Sequence, residues 1–194
     1  MAKKSNRNTR GRIVSAAWKL FYEQGYEDTT VEEIIELSGT SKGSFYHYFD
    51  GKDALLSTLS SLFDEKYEEL TRLLTPEMTA MEQLLFLNRE LFHMIEDSIS
   101  LDLLARLYST QLTTNGEKHL LDHNRTYYKL LRKIIATGQS EGQLSSRSNV
   151  NEMVKLYALC ERALLYDWCL CAGEYALTEY SAKVLPGFLS SFLP

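Results

Sequence analysis

Residues 25–56 read GYEDTTVEEIIELSGTSKGSFYHYFDGKDALL, and this stretch encodes two short helices joined by a tight turn. Thr30-Val31-Glu32-Glu33 is a capping box. The Thr30 hydroxyl can accept from the Glu33 amide while the Glu33 carboxylate reaches back to the Thr30 amide. A helix then runs to about Ser38, with Val31, Ile34, Ile35 and Leu37 turned inward, and Gly39 ends it. Ser41 caps a third helix, Lys42 to about Phe49, which Asp50-Gly51 breaks. A turn of about three residues centred on Gly39 is the size found in a helix-turn-helix. In that motif the second helix of the pair enters the major groove with its N-terminal residues toward base edges.

Phe45 and Phe49 are four apart and pack inward. The opposite surface carries Lys42, Gly43, Ser44, Tyr46 and His47. Tyr46, His47 and Tyr48 are consecutive, so on a helix they point three ways and at least one must be exposed. An aromatic core patch alone therefore does not account for SFYHYF. Gly43 allows close approach of the backbone, and Ser44 and His47 can hydrogen-bond base edges. Lys42, Tyr46 and Lys52 can hold phosphates, as can the helix N-termini at Thr30 and Ser41.

Working outward, a preceding helix spans about Asn8 to Gln24, with Ile13, Ala16, Ala17, Leu20 and Phe21 on one face and Gly25 as its left-handed cap. A long fourth helix starts near Lys52 and is expected to run unbroken to about Leu74. Pro76 marks the next boundary. Later helices are expected at about 78–97, 100–114, 117–141, 149–172 and 177–192. No alternating strand pattern persists, so the chain is expected to be all-α. Its domains are an N-terminal three-helix unit over 1–51 and a larger helical body over 52–194.

The 194 residues are 44% hydrophobic and 24% charged, which suits a globular chain. No apolar run reaches the roughly 18 residues of a membrane span. The basic N-terminus precedes no continuous apolar stretch and is not a secretory signal, so the expected compartment is the cytoplasm. Net charge is −5. Lys3, Lys4, Arg7, Arg10 and Arg12 give the first 12 residues +5 and leave −10 on the rest. A basic arm on an acidic body can steer one end of a molecule to phosphate, or be a solvated tail. Cys160, Cys169 and Cys171 are odd in number and lie late in the chain, which argues against a disulfide framework. His119 and His123, spaced i, i+4, could share a metal, but no zinc-protease pattern surrounds them, and neither metal nor cofactor is expected. No nucleophile elbow, phosphate loop or dinucleotide fingerprint is present, so no enzymatic activity is expected.

The quoted segment resembles the N-terminal domain of the TetR family of bacterial transcriptional regulators. The likeness rests on the Leu-Phe-x-x-x-Gly-Tyr ending of the first helix, the paired threonines, the Gly before the recognition helix, the Phe-Tyr-His-Tyr-Phe run and the Lys opening the next helix. It covers about Arg10 to Leu56. It implies a homodimer that binds a palindromic double-stranded DNA operator through its N-terminal domain. The C-terminal domain would bind a small-molecule inducer and dimerise, most such proteins being repressors. Thr40 stands where a β-branched aliphatic residue is usual. Asp50-Gly51 replaces a more often basic or polar pair, which could remove one phosphate contact.

In the body, the last two helices resemble a pair that builds a four-helix dimer interface, with Cys160, Leu164, Trp168, Val184, Phe188 and Phe192 as its expected residues. An inducer cavity is expected among Phe63, Tyr67, Phe86, Phe92, His93, Tyr108, Gln111, Tyr127, Tyr128 and Tyr157, suited to a mainly apolar ligand. A ligand that shifts the helix opened by Lys52 would move both DNA heads off register. Two alternatives share the same DNA-binding domain: a thiol-based redox-responsive regulator using Cys160, Cys169 or Cys171, and a ligand-dependent activator.

Overall fold

The computed structural model describes residues 2–113 and 118–194, with side chains described from residue 9 onward. Among these residues there are ten α-helices and no strand: α1 (Ala2–Gln24), α2 (Val31–Ser38), α3 (Lys42–Tyr48), α4 (Lys52–Leu56), α5 (Leu59–Thr71), α6 (Ala80–Ser98), α7 (Leu101–Thr113), α8 (Thr126–Ser140), α9 (Val150–Leu170) and α10 (Leu177–Leu189). The expected all-α class therefore holds. α1 extends to Ala2, so the stretch read as an arm is helical backbone there, while the side chains of Lys3, Lys4 and Arg7 lie outside the described residues.

The local signals read from residues 25–56 are where the sequence puts them. Thr30 and Glu33 form both halves of the capping box, with Thr30 N donating to Glu33 Oε2 at 2.7 Å and Glu33 N to Thr30 Oγ1 at 3.2 Å. Gly39 ends α2 at φ 60°, a left-handed conformation in which a side chain would be strained. Ser41 accepts from the Ser44 amide at 3.1 Å and opens α3. A second capping box, Thr79 with Glu82, opens α6.

Two apolar clusters organise the chain. In the N-terminal one, Ile13, Ala17 and Phe21 of α1 meet Ile34 of α2 and Phe45 and Phe49 around α3. Leu55 and Leu56 of α4 and Leu103 of α7 complete it. Leu55 and Leu56 thus pack α4 against the head. The second cluster fills the body between α5, α6, α8, α9 and α10. Trp18 borders both clusters and its Nε1 donates to Thr58 Oγ1 at 2.8 Å.

Two expected helices are interrupted. The helix expected over Lys52–Leu74 breaks at Ser57-Thr58. There the Ser57, Thr58 and Ser60 hydroxyls donate to the carbonyls of Ala54, Leu55 and Ser57. Backbone bonds tighten to three-residue spacing, as from Thr58 N to Leu55 O at 2.9 Å. Clustered hydroxyls competing for helix carbonyls explain the break. The helix expected over 117–141 begins only at Thr126. Asp122 Oδ1 accepts from the Asn124 amide at 2.8 Å, an Asx turn, and a short 3-10 turn covers His119–Leu121. His119 and His123 therefore do not share a helix face. No group of three or more metal-ligating side chains occurs among the described residues.

Candidate nucleic-acid interface and interior cavity

The short α3 is held from one side only. Phe45 is fully buried and Phe49 nearly so, with ring centroids 5.9 Å apart. Ser41, Lys42, Gly43, Tyr46 and His47 are exposed, and Ser44 and Tyr48 are half-buried. Tyr46 stands 46% exposed, more than a core aromatic would. The face is lightly tethered. Lys42 Nζ is 3.3 Å from Glu32 across exposed surface, and the Ser44 hydroxyl is 2.9 Å from that of Ser41. Pairs this exposed contribute little and exchange readily for a phosphate. The Thr30 and Ser41 hydroxyls act as helix caps, so their remaining contribution to an anion is the helix N-terminus itself. Arg10 lies over the Phe49 ring at 5.4 Å, and Arg12 approaches Gly39. The sequence groups these two with the arm; in the fold they border the turn and the recognition helix.

Lys52 departs from expectation. Its ammonium donates to the carbonyls of Tyr26 (2.6 Å), Glu27 (3.2 Å) and Thr29 (2.8 Å) and sits 4.3 Å from the centre of the Tyr26 ring. An ammonium has three donors, and all are occupied. Lys52 staples α4 to the α1–α2 turn and is not free for phosphate. Arg106 of α7 covers the same ring at 4.9 Å and pairs with Glu27 and Asp102. Tyr26 is therefore held between a cation of the head and a cation of the body, and its hydroxyl donates to Asp53.

Four of the ten expected ligand residues, Phe63, Tyr67, Tyr108 and Tyr127, line one interior cavity with Leu91, Leu120, Arg125, Glu161, Arg162 and Leu165. It holds about 50 Å³ of free space, so a ligand of ordinary size must displace side chains to enter. The other six lie elsewhere. Tyr128 and Tyr157 are buried, with hydroxyls donating to Leu120 O (3.0 Å) and Leu84 O (2.8 Å). Phe92 is core. His93 is exposed beside Asp97. Phe86 lines an open groove between α6 and α10, under Arg89. The Gln111 side chain accepts from the Leu120 amide at 3.2 Å. A larger groove of about 490 Å³ lies between α1, α5 and α6, and none of the expected residues line it.

The polar lining is what sequence reasoning missed. Glu161 is buried, its two oxygens accepting from Asn88 Nδ2 (2.9 Å) and Tyr127 OH (2.6 Å), and Ser181 donates to Asn88 in turn. Burial raises the Glu161 carboxyl above the usual range, against the lowering pull of those hydrogen bonds. Burial likewise raises the Tyr67 phenol, with Glu161 adding to the effect. Arg125 is tied to Asp64 at 3.0 and 3.2 Å and to Ser60 O at 3.0 Å.

The expected interface residues divide. Leu164, Trp168 and Phe192 are buried in the chain's own core, and Trp168 Nε1 donates to Tyr175 O at 2.9 Å. These three are turned inward, into the chain's own core. Cys160, Val184 and Phe188 stay half-buried. What is left outside on α9 is a stripe of Leu159, Ala163, Tyr166 and Leu170, and Tyr180 of α10 is exposed as well. Burial pushes the Cys160 and Cys169 thiols up to about 11. Cys171 is also raised, by desolvation and then by Asp167 and Glu174. Thiols such as Cys160 and Cys169 are not thiolates near neutrality, and Cys171 is shifted in the same direction, away from the lowered values of reactive cysteines.

Residues 13–59 match the sequence profile of the family described as bacterial regulatory proteins, tetR family. An uncharacterized HTH-type transcriptional regulator of Lactococcus lactis is 39% identical over 56 residues, spanning 28% of this chain and 29% of that protein. The HTH-type transcriptional regulator HbdR of Aromatoleum sp. is 27% identical over 188 residues, 95% of this chain and 80% of that one. Among solved structures, the TetR-family repressor FadR of Thermus thermophilus, in complex with lauroyl-CoA, superposes with TM-score 0.76 at 26% identity, covering 95% of each chain. With α3 presented on a capped helix-turn-helix and a helical body behind it, residues 13–59 form a head of the tetR-family type, and the whole chain shares the fold of these solved regulators.

Proposed function

We propose that this protein is a homodimeric transcriptional repressor that binds a palindromic operator and is released by an amphipathic acyl ligand in the α5–α9 cavity. The observation that carries the reading is α3, buried through Phe45 and Phe49 and exposed through Lys42, Gly43, Ser44, Tyr46 and His47. Ser44 and His47 read base edges; Lys42, Tyr46, Arg10 and the N-termini of α2 and α3 hold phosphates. The exposed stripe on α9 and α10 forms the dimer contact, which sets the two α3 helices about one DNA turn, ~34–36 Å, or a small multiple apart.

The acyl class is suggested by the lauroyl-CoA complex of the Thermus thermophilus repressor and by the apolar part of the cavity, Phe63, Leu91 and Leu165. α7 gives the ligand a route to the head. Tyr108 lines the cavity, and Arg106, half a turn away, grips Tyr26 and Glu27. A ligand that moves Tyr108 displaces this grip, so ligand and DNA each weaken the other by the same factor.

The test is binding of wild type, His47→Ala and Ser44→Ala to a cognate operator and to operators with single base-pair changes. Each substitution is expected to cost about 1–3 kcal/mol of discrimination at particular base pairs. Equal losses on every sequence would remove these residues from base reading.

A further inference from the structure

The cavity contains more polar chemistry than an acyl tail can use. Of its lining, Phe63, Tyr67, Leu91, Tyr127, Glu161 and Leu165 are buried, while Tyr108, Leu120, Arg125 and Arg162 are half-buried. Two arginines and one carboxyl belong to the lining, and their partners separate them. Arg125 is neutralised by the bidentate contact with Asp64. Glu161 has both oxygens engaged by Asn88 and Tyr127. Arg162 makes no ion pair among the described residues; its Nη1 donates to the neutral Tyr128 hydroxyl at 3.2 Å. A guanidinium has five donors in a planar fork that matches an oxyanion. Arg162 is thus a half-buried cation in the cavity lining whose hydrogen-bond partner is a neutral hydroxyl and whose nearby carboxyl, Glu161, already has both oxygens engaged, which leaves guanidinium donors for an anion.

Resting on the acyl-ligand reading above, we propose that Arg162 is the head-group residue of this cavity. It binds the oxyanion, carboxylate or phosphate, of a ligand whose apolar part lies among Phe63, Leu91 and Leu165. The neighbouring Tyr108 hydroxyl, which makes no hydrogen bond within the described chain, adds a donor to the same oxyanion.

The experiment is calorimetric titration of the full chain with dodecanoate, dodecanoyl-CoA and dodecanol. Wild type is compared with Arg162→Gln and Arg162→Met, using whichever variants keep the wild-type helical circular dichroism. Wild type is expected to prefer a charged probe over dodecanol. Either substitution should weaken that charged probe about 10- to 100-fold, the range for hydrogen bonds to an ionised group, and leave dodecanol within about twofold. Loss confined to dodecanoate identifies a carboxylate; loss confined to dodecanoyl-CoA identifies the phosphates. Charged probes that bind wild type and variants alike overturn the head-group role while leaving the acyl reading intact. A wild type that binds none of the three overturns the acyl reading, and Arg162's role with it.

Discussion

Lys52 and Glu161 show how residue roles change once partners distant in sequence are known. In the sequence, Lys52 opens a helix beside the recognition element and reads as a phosphate contact. Its acceptors are 23 to 26 positions away, and no local pattern announces them. Lys52→Ala is therefore expected to destabilise the head by about 2–3 kcal/mol, the scale of hydrogen bonds to a charged group. The salt dependence of DNA binding by the folded fraction should stay unchanged. Denaturant melts and binding isotherms at several salt concentrations check both; a salt slope flattened by about one unit without loss of stability would restore the phosphate role. Glu161 was unremarked because charges on helices usually face solvent. Its carboxyl titrates higher folded than unfolded. Above the ordinary Glu value of about 4.3 the unfolded chain has released a proton that the folded chain keeps. Stability from this group is thus present at low pH and lost as pH rises from about 4.3 through the folded pKa. Urea midpoints measured against pH should fall over that window more steeply in wild type than in Glu161→Gln, whereas parallel profiles would contradict the assignment.

At the scale of elements, what was legible was local. Capping boxes, Gly39 and the Phe45/Phe49 spacing each act within four residues, and α2 and α3 end within a residue of expectation. Two helices were overextended because hydroxyl competition at Ser57-Thr58 and the Asx turn at Asp122 disturb no hydrophobic periodicity. On α9 the apolar content was legible but not its division between core and surface. A helix apolar on most sides has two competing stripes, and only packing against α8 and α10 decides that Leu164 and Trp168 go in. A carboxylate on a helix ordinarily faces solvent, yet Glu96 accepts from the Leu177 and Thr178 amides and caps α10 against α6. The remaining outward stripe supplies the dimer prediction. Leu159 and Leu170 are 52% and 66% exposed, so the double variant Leu159→Glu/Leu170→Glu should keep its helical content. It should sediment as a monomer, because four buried carboxylates would face each other across a two-fold interface. A dimer that persists would place the contact elsewhere.

For the whole molecule, one recognition helix of seven residues offers few contacts, and the body is acidic. In the proposed dimer, affinity depends on two copies held at a fixed spacing, with the basic N-terminal residues adding a salt-sensitive, sequence-independent share. Lys52 and Arg106 share the Tyr26 ring, and Tyr108 on the same helix as Arg106 lines the cavity, so the proposed mechanism couples that spacing to the ligand through α7. The whole account depends on α3 reading DNA from a two-fold dimer. The most direct test is selection of bound duplexes from a random pool by the purified full chain, with the enriched sequence mapped. The account predicts an inverted repeat whose half-site centres lie about one helical turn, ~10–10.5 base pairs, or a small multiple apart. It also predicts that His47→Ala blurs the same position in both halves. Enrichment of a single asymmetric site, or of no sequence at all, would contradict it.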